Sequence, residues 1–310
     1  MDKNHPRVSI GLAVYNGEKF IEEAIKSILA QRYRDFELII SDNNSTDKTD
    51  EICSKYAAQD DRIRYSRHAT NIGGANNENS TVRKARGEYF RWAAYDDICA
   101  PDLLEKHVAI LDSEPSVVLC FSMVNEIDER GNVMNTISLK QGVSPKAHER
   151  FRQLADPKHH CEIFYGIIRT DILRKTRLQQ NYTDSDRTLL AELSLYGQFY
   201  EIPEPLFFKR YHKQNMYVNM RTRMAWFNPS LKGKFVFPYW MQFFDYLTTI
   251  SRVPLPLNEK IHCYAYMVRW FLEHARNLAG DILLPILALL RIKKDPYAWR
   301  NINSDAYNWE

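Results

Sequence analysis

The first 125 residues switch repeatedly between two hydrophobic periods, and that alternation limits the fold more than any other feature of the chain. Arg7–Tyr15 (RVSIGLAVY) is a short apolar run ending in polar Asn16-Gly17, the pattern of a buried strand. Phe20, Ile21, Ala24, Ile25 and Ile28 then recur at helical spacing, with Asn16 placed as an N-cap. The exchange repeats. Strands are expected over Phe36–Ser41, Ile63–Ser66, Glu88–Ala93 and Val117–Val124. Helices are expected between them, one capped by Ser45 with Asp47 in its first turn, one over Ala75–Arg86, and one opened by Pro101. Such alternation requires right-handed crossovers, so the chain is expected to be α/β, with a mostly parallel sheet flanked by helices.

Ligands of such sheets bind beyond the carboxyl ends of the strands. The polar residues there are Tyr15-Asn16, Asp42-Asn43-Asn44 and Asp96-Asp97, so three strands deliver Asp or Asn to one edge. The chain has no GxxxxGK[ST] loop and no GxGxxG after its first strand; Gly73-Gly74 follows the third strand instead. Any nucleotide bound here needs another way to neutralise its phosphates. Adjacent Asp96 and Asp97 suit that task through a hard divalent cation, whose open positions take phosphate oxygens. A solvated acidic turn is the plainer account of such a pair standing alone.

Charge divides the chain. The total is 42 Lys+Arg against 39 Asp+Glu, but residues 1–205 hold 27 and 32, and residues 206–310 hold 15 and 7. An acidic body with a basic tail points to a charged surface contact at one end. Cys53, Cys99, Cys120, Cys161 and Cys263 are odd in number, scattered and never paired as CxxC, which favours a reducing compartment. The opening residues lack an apolar h-region and no stretch of about 18 apolar residues occurs, so neither a secretory signal nor a spanning helix is expected.

Several segments in order resemble the family 2 glycosyltransferases of the GT-A (Rossmann-like) fold. They are Val8–Gly17, Phe36–Asp47 (FELIISDNNSTD), Asn71–Gly74, Gly87–Phe90 and Tyr95–Asp97, then Ser185-Asp186-Arg187, Ile202–Leu206 and Arg210–His212. The resemblance covers about residues 7–215 and implies inverting transfer from a nucleotide-diphosphate sugar, with UDP the expected nucleotide. It places Ala13, Tyr15, Asn16, Asp42, Asn71, Asn79 and Asp96 at the nucleotide. Asp97 and His212 become ligands of a divalent cation, Mg²⁺ or Mn²⁺, and Asp186 becomes the catalytic base. Asp184, two residues away, is the alternative base, because spacing within a loop does not separate them. An acceptor hydroxyl is a poor nucleophile until a base takes its proton, and one base with one cation suffices for a single displacement with inversion. The chain departs from the family pattern at Ala13, often proline in relatives, and at Glu78, where a basic residue is common before Asn79. Its carboxylate motif reads Ser-Asp-Arg where Glu-Asp is frequent.

The competing functions are a non-catalytic sugar-nucleotide-binding or assembly subunit and a sugar-nucleotide nucleotidyltransferase, whose usual glycine-rich first loop is missing after Val14. His159-His160-Cys161-Glu162 looks like a metal site, but four consecutive side chains cannot face one ion. Structural or acceptor-side roles are expected, ahead of a strand over Ile163–Arg169.

Past residue 215 the resemblance fades. Residues 1–215 are expected to form the catalytic domain and 216–310 a helical, aromatic-rich, basic extension. Trp226, Phe227, Phe235, Phe237, Tyr239, Trp240, Phe243, Phe244 and Tyr246 crowd near Lys232 and Lys234. Ile261, Tyr264, Val268, Phe271, Ala275 and Leu278 make an apolar helical stripe, and Arg291, Lys293 and Lys294 follow Asp281–Ile292. Residues 226–294 are expected either to lie on a membrane surface or to pack on the catalytic domain or a second subunit as a homo-oligomer. Nucleic acid is not an expected partner, since no binding motif is present. The picture is a cytoplasmic enzyme, peripheral on the cytoplasmic face of a membrane, acting on a glycan or lipid-linked acceptor in polysaccharide biosynthesis. Cutting the chain near residue 230 would then spare its soluble part.

Overall fold

A computed structural model describes residues 5–156, 159–212, 227–231 and 234–290. Four parallel strands form one half of the sheet: β1 (Val8–Val14), β2 (Phe36–Asp42), β3 (Ile63–Arg67) and β4 (Tyr89–Ala93). They lie in the order β3-β2-β1-β4, with Val14 opposite Asp42 and Leu12 opposite Ala93. Their carboxyl ends therefore share one edge. The intervening helices are α1 (Ile21–Leu29), α2 (Thr49–Gln59) and α3 (Gly74–Lys84). On α1 the buried residues are Ile21, Ala24, Ile25 and Ile28, the spacing that the sequence sets out.

The other half is mixed. After the short β5 (Ile98–Cys99) and α4 (Leu103–Ser113), the chain enters β6 (Val117–Ile127), which pairs antiparallel with β7 (Val133–Ile137). It continues through α5 (Ala147–Ala155), β8 (Ile167–Arg169), α6 (Thr170–Leu173), α7 (Ser185–Tyr196) and β9 (Gln198–Arg210). Short β8 runs antiparallel to both β4 and β6 and joins the halves. Long β9 follows β6 in parallel, pairs with β5 and ends at Arg210, two residues before His212. The sheet is a mostly parallel α/β sheet flanked by helices, as expected.

Local expectations fail where strand-end loops take the side chains assigned to caps. Asn16 does not cap a helix: it sits at φ 53°, and its carboxamide oxygen accepts the Thr46 N–H at 2.8 Å. Ser45 donates to Asp42 at 2.6 Å, and α2 begins four residues later. Asp47 instead receives the Thr49 N–H at 3.0 Å. The strand expected from Ile163 is a 3-10 turn over Cys161–Tyr165, with β8 starting at Ile167. Glycine is needed at Gly73, where φ is +86° and a Cβ would lie 2.3 Å from the Phe227 carbonyl oxygen.

The carboxyl-terminal part contains α8 (Pro238–Arg252), α9 (Leu257–Glu273) and α10 (Ala275–Leu289). Tyr246, Ile250, Cys263, Met267, Trp270 and Leu278 from these helices belong to the same apolar core as the sheet. Phe151 of α5 meets Tyr246 and Tyr266 edge-on at 5.7 and 6.3 Å. The inward stripe of α9 is Cys263–Met267–Trp270–His274, whereas Ile261, Tyr264, Val268 and Phe271 of the expected stripe stay exposed. Among the described residues no helix is long and apolar enough to cross a membrane. Trp226, Lys232, Arg291, Lys293 and Lys294 lie outside the described residues.

Candidate active site

Beyond β1 and β2, two loops are zipped together. The Asn16 N–H donates to Ser45 Oγ at 2.9 Å, Gly17 N–H to Thr49 Oγ1 at 2.8 Å and Glu18 N–H to Asp47 Oδ2 at 3.0 Å. Asp42 is fully buried at the end of β2 and accepts hydrogen bonds from the Ser45 N–H and hydroxyl and from the Tyr65 hydroxyl. Ala13 lies opposite Ser41, and Tyr15 is half-buried just past the end of β1. Asn43 reaches across to the next loop, donating to Asn71 Oδ1 at 3.0 Å while accepting the Ile72 N–H at 2.8 Å. Ala13, Tyr15, Asn16, Asp42 and Asn71 thus gather at one end of the edge. Asn79 does not join them through its carboxamide, which holds the Gln179 backbone from both sides, donating to its carbonyl at 2.7 Å and accepting its N–H at 3.2 Å.

Asp96 and Asp97 follow β4, both nearly buried. Burial, then the charge of Asp96, pushes the Asp97 carboxyl up to about 8, against the Arg210 N–H that it accepts at 2.8 Å. Arg210 braces the pair further: its Nε donates to the Asp96 carbonyl at 2.9 Å and its Nη2 to Glu23 at 2.7 Å, over the ring of Phe20. His212 packs on the other side of this arrangement, 4.9 Å from Phe20, with Nε2 2.9 Å from Asp96 Oδ2. The imidazole is therefore placed on Asp96, the partner of the expected ligand. Among the described residues no group of three His, Cys, Asp or Glu side chains is arranged to hold a metal ion. The donor chemistry nevertheless includes groups that a divalent cation takes: the Asp96 and Asp97 carboxylates are adjacent, and the His212 imidazole lies on Asp96.

The third group comes from α7. Asp184 sits just before the helix in a left-handed conformation, φ 67°, and Asp186 lies in its first turn. Both are half-buried. Gln179 ties this turn to α3: its carboxamide nitrogen donates to the Glu78 carboxylate, and its oxygen lies 3.5 Å from the Ser185 hydroxyl. Burial, then the charge of Asp186, lifts the Glu78 carboxyl to about 8, with the Gln179 hydrogen bond opposing.

One side chain that sequence analysis did not single out links these groups. The Tyr165 phenol is pushed well above its usual range by burial and then by Asp97, Glu78, Asp96 and Asp186. Its ring packs 5.3 Å from Phe207 of β9 and 5.4 Å from Phe164. Nothing in its local sequence marks it, because the carboxylates around it come from three separate segments. The neighbouring His-His-Cys-Glu run splits into alternate pairs: His159 lies 3.8 Å from the Cys161 sulfur, its imidazole driven down to about 3 by burial and Arg187, while Glu162 meets His160 at 3.7 Å and pairs with Lys209.

Residues 9–177, more than half of the chain, match the family described as Glycosyl transferase family 2. The chain belongs to that family. The match takes in Asp42, Asp96 and Asp97 and stops short of Asp186 and His212. An uncharacterized glycosyltransferase of Methanocaldococcus jannaschii, MJ1057, is 38% identical over 136 residues, 43% of this chain and 46% of that protein. The chain spans less than half the length of the first curated relatives it matches. Among solved structures, residues 1–349 of TarS from S. aureus in complex with UDP-GlcNAc align with a TM-score of 0.65 at 17% identity, covering 89% of this chain and 79% of that one. The mannosyltransferase PcManGT from Pyrobaculum calidifontis, in complex with GDP-Man and Mn²⁺, aligns at 0.56 and 18% identity over 98% and 81%. At such identities the likeness carries the fold: a GT-A sheet with a helical carboxyl-terminal region.

Proposed function

We propose that the chain is a divalent-cation-dependent, inverting glycosyltransferase that moves a sugar from a nucleoside diphosphate to a hydroxyl of a glycan or lipid-linked acceptor. The observation carrying this is the placement of the Asp96–Asp97 pair after β4 and of Asp186 in the first turn of α7, both close enough for their charge to bear on the half-buried Tyr165 phenol. A site that splits one displacement between a charge-neutralising end and a base end needs those two groups near each other. The solved complexes with UDP-GlcNAc and with GDP-Man and Mn²⁺ support a nucleotide-sugar donor. The base of that donor is proposed to be uridine.

In this mechanism Ala13, Tyr15, Asn16, Asp42 and Asn71 form the nucleotide end of the cleft. Asp97, with Asp96 and His212, would hold Mg²⁺ or Mn²⁺, its remaining positions filled by diphosphate oxygens. The bound cation supplies charge stabilisation to the departing diphosphate. Asp186 takes the acceptor proton as the hydroxyl oxygen attacks the anomeric carbon, so the carbon inverts in one step. Arg210 keeps the acidic pair in place through two of its own hydrogen bonds, while a third, to Glu23, anchors its guanidinium. The acceptor belongs to polysaccharide assembly on the cytoplasmic face of a membrane, in keeping with the basic carboxyl-terminal part. Residues 1–215 carry the chemistry in this proposal, and 216–310 the location.

The test is a screen of nucleotide sugars with supplied glycan and lipid-linked acceptors, with and without Mg²⁺ or Mn²⁺. Cation-dependent release of nucleoside diphosphate, lost in Asp97→Ala, is expected. Tight nucleotide binding with no turnover on any acceptor would replace the enzyme by a binding subunit.

A further inference from the structure

Three helices leave an apolar face uncovered. On α9, Ile261, Val268 and Leu272 are 57%, 64% and 69% exposed. They sit about 100–200° around the helix from the inward stripe at Cys263, Met267 and Trp270, as the 3.6-residue turn requires. Phe271 carries this face onto α8: its ring lies 5.5 Å from Phe243 and 6.1 Å from Trp240. Trp240 stacks on exposed Phe244 at 5.7 Å. Through its indole N–H, Trp240 also reaches the Leu278 carbonyl of α10 at 3.0 Å, and α10 turns Ile282, Leu283 and Ile286 outward. The exposed apolar residues therefore form a joined layer over three helices. Scattered surface leucines need no explanation, but a layer of this extent does.

The surrounding charge chooses the occupant. α8–α10 contain four acidic residues, and each is already engaged. Asp245 is buried on Arg177 and Tyr182, and Asp281 is buried where it accepts the Tyr239 N–H. Glu259 holds His148, and Glu273 is matched by Arg269. Among the described residues Lys260 and Arg276 on the same helices pair with no carboxylate, whereas Arg252 faces buried Glu192 of α7 at 4.0 Å. A second copy of the chain would bring an identical cationic rim against this one. An anionic surface complements it, and the exposed rings of Phe244, Tyr264 and Phe271 suit the headgroup level of a bilayer.

We propose that the outer face of α8–α10 docks on anionic phospholipid, its apolar side chains entering the headgroup–acyl boundary while Lys260 and Arg276 meet the headgroups. This deepens the membrane-side placement of the proposed transferase. Binding is measured without turnover, so failure of docking and failure of the transferase reading remain distinguishable.

The full chain is co-sedimented with vesicles of phosphatidylcholine alone and with added phosphatidylglycerol. Sedimentation with the anionic vesicles, weakened by salt, is expected. The double variant Val268→Asp/Leu272→Asp should bind about tenfold more weakly or worse. Lys260→Glu/Arg276→Glu should also lose about tenfold, and only on anionic vesicles. Because none of these four side chains is buried or paired with a carboxylate, melting temperatures should hold; if the aspartate variant fails to fold, the charge-reversed variant decides. No sedimentation with anionic vesicles overturns the proposal, as does equal binding to both vesicle types. A lipid-free dimer in analytical ultracentrifugation, dissolved by the aspartate substitutions, would overturn it in favour of a second copy.

Discussion

Asp184 and Asp186 are two positions apart, yet the backbone gives them different settings. Asp184 takes the left-handed conformation ahead of α7, whereas Asp186 lies in the first turn and its charge reaches both Glu78 and Tyr165. Asp186→Asn should therefore lower transfer by about 10²–10⁴-fold with donor affinity unchanged, as read by single-turnover rates beside nucleotide titration. Loss of donor binding instead would move Asp186 into the nucleotide pocket. Glu78 was visible in the sequence as a carboxylate where relatives favour a base, but its consequence was not. Burial in the fold holds its proton, helped by the charge of Asp186 about a hundred residues away and opposed by the Gln179 hydrogen bond. Its folded value of about 8 lies above the ordinary carboxylate value, so the folded chain keeps a proton that the unfolded chain releases. Stability from this group is thus lost as pH rises from the usual carboxylate range toward 8. Glu78→Gln removes that slope. Its melting temperature should match the parent at pH 4.5 and exceed it by about 2 °C or more at pH 8. A constant gap across that range would rule out the buried proton.

Between elements, the contact that matters most to the site is the clamp of α3 on the segment before α7. Asn79 pairs both backbone groups of Gln179, and the Gln179 side chain in turn meets Glu78 and Ser185. Asn79→Ala leaves a buried N–H and C=O unpaired at a cost of about 1–3 kcal/mol. It should lower the denaturation midpoint and reduce kcat more than it raises KM, since the first turn of α7 loses its support. An equal fall in donor affinity would instead return Asn79 to the nucleotide. At this scale the legible elements were those whose partners are close in sequence. The spacing of Ile21, Ala24, Ile25 and Ile28 settles the face of α1 because β1 lies next to it. On α9 two apolar stripes compete, and which is covered depends on α5 and α8, brought from far along the chain; the spacing of Ile261 and Val268 carries no such information. Asn16 and Ser45 looked like caps because loop geometry between two strands has no signature in either strand alone. The same holds for Tyr165.

Over the whole molecule, the alternation of periods was enough for the parallel half, where β1, β2 and β3 pair across single crossovers and β4 returns beside β1. The pairing of β6 with β9 spans about 80 residues, and neither strand shows it locally. The carboxyl-terminal helices were harder still: the sequence left a membrane surface and packing on the catalytic part both open. Their contacts favour the second. Cutting after residue 230 removes Tyr246, Ile250, Cys263, Met267 and Trp270 from a core shared with Phe151 and the sheet. It also strips Asp245 from buried Tyr182 and from Arg177. Each large apolar loss from a core costs about 2–5 kcal/mol, and five or more exceed the 5–15 kcal/mol by which a domain is typically stable. The truncated chain should therefore fail to melt cooperatively in calorimetry and should not bind nucleotide. A soluble 1–230 fragment with a sharp transition and intact nucleotide affinity would show that residues 1–215 stand as a separate catalytic domain, with α8–α10 only resting on them. The shared aromatic contacts favour the first outcome, and they give the docking face a consequence: a layer built on the enzyme's own core can be weakened at its exposed side chains, but it cannot be deleted.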